Sequence, residues 1–301
     1  MDVDEQEGRQ WLTAVSYYRL SGYFYPCRET DPDRAGQRLD RFRSGTRFSD
    51  LIALYEADRK LRTLIHDGLE RVEIACRAQI SSLLSRPDAL SYRDSSSYRP
   101  GFRLANWLGT AEKRVDRARR HNGAIKHYDA EYGGQYPLWV LAEVLDFSDV
   151  SRLYEGLRFE DQQDIASQLG IGIDLSQLTS ALRRKARRKH PLANWLEQLT
   201  VLRNFSARHA RVWNQTFVPV PTNALRILPG LESLPLGQSE RVYGMLLVID
   251  HLLRVFSPGS SWGARAREHV MNDFLTNPIA SAAALGVPED SPWRGAPVSS
   301  E

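Results

Sequence analysis

The stretch "FSDLIALYEADRKLRTLIHDGLERVEIACRAQISSLLS" constrains the fold more than any other part of the chain. Leu54, Leu61, Leu64, Ile65, Leu69, Val72, Cys76, Ile80 and Leu83 recur at helical spacing and trace one broad apolar stripe, with Ser49 as its N-cap. The stripe reads as one long helix or two in line, ended by the Pro, Ser and Gly of "PDALSYRDSSSYRPG". Helical periodicity dominates elsewhere too, and no run of alternating strands bounded by Asn-Gly or Asp-Gly turns appears, so the predicted class is all-α.

The remaining elements follow from local signals. A first helix over Arg9 to Leu20 stops at Gly22, with Pro26 preventing its resumption, and a loop rich in Asp, Arg and Gly follows. A basic helix is predicted from Trp107 to His121, and Pro137 opens another over "PLWVLAEVLDFSDVSRLYEGL". "FEDQQDIASQLG" closes at Gly170, an arginine-rich helix ends before Pro191, and the next helix runs from Pro191 to about Phe217. "VPVPTNALRILPGLESLPLG" is a proline-rich connection to a core helix over Ser239 to Phe256, and a short helix spans Ala264 to Leu275. No internal repeat or long linker divides the chain. The expectation is one helical body over residues 1–256, with residues 257–301 as an appended helix and tail packed on it.

A hydrophobic content of 42% in 301 residues supports a substantial core and excludes disorder throughout. The start "MDVDEQEGRQ" has no basic-then-apolar pattern of a secretory signal. "YGMLLVIDHLLRVF" is interrupted by Asp250, His251 and Arg254, short of the roughly 20 apolar residues a membrane span needs. Cys27 and Cys76 are isolated, without metal-ligand spacing or disulfide density, and neither reads as a nucleophile. A cytoplasmic protein with no membrane partner is expected.

The formal charge is only +3, but its distribution is uneven. From Ala181 to Asn214, Arg183, Arg184, Lys185, Arg187, Arg188, Lys189, Arg203, Arg208 and Arg211 face one acid, Glu197, so the segment is +8 and the remainder −5. Such a field attracts polyanions, nucleic acid first among them; a plain solvated face is the alternative.

Within that segment "VLRNFSARHARVWN" sets Arg203 and His209 six positions apart on a stretch whose apolar side is Trp195, Leu199, Leu202, Phe205 and Val212. On an ideal helix the two point about 120° apart. They meet only if the helix deforms, or if the arginine of one copy faces the histidine of another across a two-fold axis. RNA carries its own nucleophile, the 2′-hydroxyl, so its cleavage needs a proton acceptor, a proton donor and a cation for the phosphorane. Histidine serves either proton role near neutral pH, and arginine presents a fork of donors to phosphate. Asn204 would orient the hydroxyl or hold the histidine tautomer. In the structural alternative Arg203 pairs with Glu197 or another acid and His209 is a partly buried polar filler.

The blocks "YYRLSGYFYP", "DRKLR", "LERVEIACRAQIS", "HYDAEYGGQYPLWVLAEVLDFSDVSRLYEGL", "LRNFSARHARVWN" and "ALGVPEDSPW", in that order, resemble the bacterial abortive-infection AbiD/AbiF-type proteins, which carry the Arg-Asn…His motif of the HEPN ribonuclease superfamily. The resemblance implies an all-helical HEPN-like bundle with appended helices, homodimerisation, metal-independent RNA cleavage and a role in phage defence or growth arrest. It assigns catalysis to Arg203, Asn204 and His209. Family members usually read Ala-His-His at the end of the motif; here Arg208 stands in the first of those histidine positions and His209 remains.

Other polar groups carry two readings each. Glu70, Glu73 and Arg77 share a helical stripe; a structural Glu73–Arg77 pair leads, with support of the Arg/His site or RNA contact as the alternative. His66 and Glu70 are i,i+4 neighbours without a third ligand, so no metal and no cofactor is predicted. Tyr17, Tyr18, Arg19, Tyr23 and Tyr25 read first as packing residues and second as base-stacking ones, and Asp58, Arg59 and Arg62 as ties between helices. No Gly-rich phosphate loop or Ser/His/Asp pattern appears. The leading expectation is a homodimeric endoribonuclease toxin that yields 2′,3′-cyclic phosphates. Arg183 to Lys189, Arg208 and Arg211 draw RNA in, and an antitoxin or small RNA is a further partner. The rivals are a non-catalytic RNA-binding member of the same family and a protein-interaction module.

Overall fold

The apolar stripe forms a single helix of 37 residues in a computed structural model that describes residues 1–294. Ahead of it lie α1 (Glu5–Val15), α2 (Tyr17–Phe24) and an antiparallel hairpin of β1 (Arg28–Thr30) and β2 (Arg38–Phe42); the long helix is α3 (Phe48–Leu84). There follow α4 (Leu104–Ala118), α5 (Gly123–Tyr132), α6 (Leu138–Ala142), α7 (Phe147–Gly156), α8 (Phe159–Gln168), α9 (Ser180–Arg188) and α10 (Pro191–Ala207). A minimal strand pair, β3 (Val220–Pro221) with β4 (Gln238–Ser239), leads to α11 (Val242–Phe256), α12 (Trp262–His269) and the one-turn α13 (Ala282–Leu285). The fold is all-α, with two small two-stranded sheets among the described residues.

α3 is the axis on which the rest is assembled. α2, α6, α7, α8, α10, α11 and α12 all pack against it, and Leu54, Leu61, Ile65, Leu69 and Val72 are at most 1% exposed. Fully burying one such side chain contributes about 1.5–3 kcal/mol, which is why a continuous stripe selects one straight helix over two. Gly68 permits two of these helices, α11 and α12, to approach closely. A Cβ there would stand 2.7 Å from Ile249 Cγ2 and 2.8 Å from Trp262 Cε2, and Trp262 Nε1 donates to the Leu64 carbonyl at 2.7 Å. α12, in the stretch after residue 257, is therefore seated directly on α3; residues 295–301 of the expected tail lie outside the described residues.

Several boundaries differ from expectation. α3 is capped by Arg47 rather than Ser49. The first predicted helix is two, broken at Ser16, whose φ of 70° and ψ of 149° lie in a region that side chains other than glycine's strongly disfavour. The Pro137 helix divides into α6 and α7 because Asp146 and Asp149 build a capping box that restarts the helix at Phe147. α5 and the β1–β2 hairpin were not anticipated. α12 ends at His269 and continues as a π turn over Val270–Phe274. The most consequential difference is at α10, which stops at Ala207, ten residues short of Phe217. No described helix is long and apolar enough to cross a membrane.

Candidate active site

α10 is anchored at its start by a buried histidine. His190 is fully buried, and its Nδ1 accepts the Leu192 N–H at 3.2 Å as the helix N-cap. Only an unprotonated Nδ1 can accept, so the ring is neutral with its proton on Nε2, 2.9 Å from Gln163 Oε1. Burial pushes its pKa down to about 4, in keeping with that state. Leu192, Trp195, Leu196, Leu199 and Leu202 are then inaccessible to solvent, locked against α3 and α7, while Glu197 on the opposite side and Ala207 at the end are exposed.

That last turn ends in a Schellman motif. The Ala210 N–H donates to the Phe205 carbonyl at 2.9 Å and the His209 N–H to the Ser206 carbonyl at 3.0 Å, with Arg208 as C-cap. The position that usually takes glycine is occupied by His209, at φ 57°. No glycine or proline marks a stop here, so the termination comes from elsewhere in the chain. In a continued helix the Trp213 N–H would donate to the His209 carbonyl. Instead Asp58 Oδ1 accepts the Trp213 N–H at 2.9 Å and the Val212 N–H at 3.1 Å, while Arg19 Nη1 donates to the His209 carbonyl at 2.6 Å. Both partners of the would-be helical bond are taken by tertiary groups.

Asp58 is the hub of this grip. It is fully buried, paired with Arg62 of the same helix, and accepts the Tyr23 hydroxyl at 2.6 Å. Burial pushes its carboxyl upward against the pull of Arg62, the Tyr23 hydroxyl and the two backbone N–H groups. Arg211 donates to the Gly22 carbonyl and lies over the Tyr23 ring, its guanidinium held below its ordinary range by burial. The predicted tying role of Asp58 and Arg62 is thus seen in detail, whereas Arg211, expected at an RNA surface, is half-buried and bonded to the Gly22 carbonyl. Arg59, exposed, pairs with Glu56 within its own helix.

Arg203 lies one turn before the helix end, 40% exposed by side chain, and its nearest acid is Glu73 of α3, 3.8 Å from Nε. Glu197, the acid expected to compete for it, instead lies 3.5 Å from Lys189. Glu73 pairs more closely with Arg77, whose Nη2 also donates to the Leu145 carbonyl at 2.8 Å and whose Nη1 is buried with no partner among the described residues. Arg203 looks into an open cleft of about 540 Å³ lined by Thr63, His66, Asp67, Glu70, Glu73, Ile74 and Arg77. The structure therefore gathers Arg203 with Glu70, Glu73 and Arg77. His209 is exposed and does not line this cleft, so within one chain the guanidinium and the His209 imidazole are not brought onto a common face. Asn204 is half-buried, its carbonyl accepting the Arg208 N–H at 3.1 Å.

The cations divide into engaged and free. Arg183 donates to the Leu175 carbonyl at 2.8 Å and Lys189 lies 3.2 Å from Glu155, so both hold structure. Arg184, Lys185, Arg187, Arg188 and Arg208 are exposed and form no ion pair among the described residues. Lys185, Arg188 and Lys189 border a groove of about 400 Å³ between α9 and the start of α10. Among the tyrosines, Tyr23 is buried while Tyr18 is 90% exposed. Sequence reasoning missed the hold of Arg19 on His209 and the place of His66 beside Arg203; the only trace of the latter was its spacing from Glu70. Among the described residues no three His, Cys, Asp or Glu side chains are arranged to hold a metal ion, and both cysteines are buried.

Searches of curated proteins and of solved structures found no match. The family model described as Abi-like protein matches residues 10–214, more than half of the chain. Its span opens within α1 and closes just past Trp213, so it contains every group that grips the end of α10: Arg19, Gly22, Tyr23, Asp58, Arg62 and the segment from Arg203 to Trp213. The chain belongs to the Abi-like family.

Proposed function

We propose that the protein is a metal-independent endoribonuclease of the HEPN type, acting in abortive infection or growth arrest as a cytoplasmic homodimer. The observation that carries this reading is the end of α10. There a half-buried guanidinium, whose one acid contact among the described residues is a long one to Glu73, stands six residues before an exposed imidazole held in a left-handed conformation by Arg19. Non-glycine residues kept in such conformations by surrounding structure concentrate at functional sites. Arg203 stabilises the phosphorane, His209 moves a proton and Asn204 orients the attacking hydroxyl. A second copy brings its His209 to the first copy's Arg203, since one chain does not place the two together. The free cations of α9 with Arg208 draw RNA toward the site.

The test is cleavage of RNA by purified protein in the presence of a chelator, with 2′,3′-cyclic phosphate ends on the products. Arg203→Ala is expected to slow cleavage by about 10²–10³-fold and His209→Ala by about 10²–10⁴-fold, each with RNA affinity little changed. Arg208, exposed where relatives carry a second histidine, favours a second reading: an RNA-binding member without turnover. That reading wins if the wild-type protein binds RNA and cuts none while Arg208→His restores cutting.

A further inference from the structure

Cleavage through the 2′-hydroxyl has two proton-transfer roles, and the segment at the end of α10 supplies one imidazole. The chain has seven histidines. His190 and His269 are buried, His251 Nε2 faces the Gly170 carbonyl at 2.7 Å, and His121 and His127 lie at the α4–α5 corner. His66 alone among them lines the cleft into which Arg203 looks.

We propose that His66 is a catalytic residue, the second proton-transfer group acting beside Arg203; this rests on the endoribonuclease reading above. The ring of His66 is exposed and forms no hydrogen bond or ion pair among the described residues, so both nitrogens are free for substrate. Two of the three acids on the cleft are paired with arginines. Asp67 is neutralised by Arg71 at 2.8 Å and Arg265 at 2.9 Å, and Glu73 by Arg77. Arg203 supplies donors on the same cleft. Glu70, the third acid of the cleft, is exposed one helical turn from His66 and forms no hydrogen bond or ion pair among the described residues. In the step itself the 2′-hydroxyl gives its proton to one imidazole as the 2′-oxygen–phosphorus bond forms. The phosphorus–5′-oxygen bond breaks, and the departing 5′-oxygen takes a proton from the other imidazole. His209 and His66 divide these roles.

The experiment compares full-length wild type, His66→Gln and His209→Ala on a single-stranded RNA. Affinity is measured separately on the same strand carrying 2′-O-methyl groups, which cannot be cut. Both variants are expected to lose about 10²–10⁴-fold in turnover with affinity within a factor of about three of wild type. The pH profile of His66→Gln is expected to lose one limb of the wild-type bell. His66→Gln that turns over within a factor of about three of wild type, or that loses affinity and activity together with an unaltered pH profile, overturns the assignment and leaves the endoribonuclease reading standing. A wild-type protein that binds RNA and never cuts it removes both.

Discussion

α9 and the end of α10 share the most basic segment of the chain, and they use their charge in opposite ways. On α9 only Ala186 is buried; Arg184, Lys185, Arg187 and Arg188 project into solvent without ion-pair partners among the described residues. Around the end of α10, Arg211 is half-buried and bonded to the Gly22 carbonyl, Arg203 leans toward Glu73, and a buried carboxylate with its tyrosine and arginine partners shapes the backbone. The first region is a field, whose strength depends on how many charges it has. The second is a built site, whose geometry depends on single groups that cannot be exchanged. Charge density along the sequence does not separate the two; what separates them is burial and the number of contacts made from distant parts of the chain.

Substitutions at the two places therefore differ in kind. The largest effect is expected from Asp58→Ala. It leaves Arg62 buried without its counter-ion and orphans the Val212 and Trp213 N–H groups, so stability should fall by about 3–5 kcal/mol, read from urea unfolding. A change under about 1 kcal/mol would mean that Asp58 is not the hub.

Next comes pH. His190 is neutral in the folded state with a pKa near 4, against 6.5 ordinarily. Between those values the unfolded chain binds a proton that the folded chain refuses. The stabilisation is therefore complete above about pH 6.5 and is lost as pH falls toward about 4, amounting to about 3 kcal/mol. His190→Asn, which keeps an N-cap but cannot titrate there, should flatten that part of the stability curve.

A smaller effect of opposite sign is expected at His209. Replacing it with glycine removes the left-handed penalty and should raise stability by about 1 kcal/mol while slowing the proposed RNA cleavage as much as His209→Ala does, whereas His209→Ala keeps the penalty. Equal melting temperatures for the two variants would show that no strain is held there.

The smallest effect on stability is expected on α9. Changing Arg184, Lys185, Arg187 and Arg188 together to glutamine should move unfolding by no more than about 0.5 kcal/mol in all. The same variant should lower the slope of log RNA affinity against log salt by about 3. A large loss of stability with no change in salt slope would reverse the assignment of the two regions.

Much of this architecture was readable before any coordinates. The α3 stripe, the proline that opens α10 and the glycine that closes α8 are local signals, and each element stands where its signal lies. The division into engaged and free cations was not readable, because Arg183 and Arg184 are chemically alike and only packing turns one toward the Leu175 carbonyl. The candidate residues Arg203, Asn204 and His209 were expected on one continuous helix, and the structure ends that helix at Ala207. A continuous helix was the proper inference from "FSARHARVWN", which contains no breaker. The break comes from Asp58 and Arg19, more than 150 residues away in sequence.

Three blocks far apart in the chain, "YYRLSGYFYP", "DRKLR" and "LRNFSARHARVWN", therefore meet at one corner. Helical class, the central axis and the polar residue types on each helix follow from periodicity and composition, which act over a few turns and can be read in one dimension. Where α10 stops, which way His209 faces and which imidazole shares a cleft with Arg203 were settled by tertiary packing. A backbone N–H or carbonyl takes whichever partner the fold brings closest, and here that partner lies on another helix.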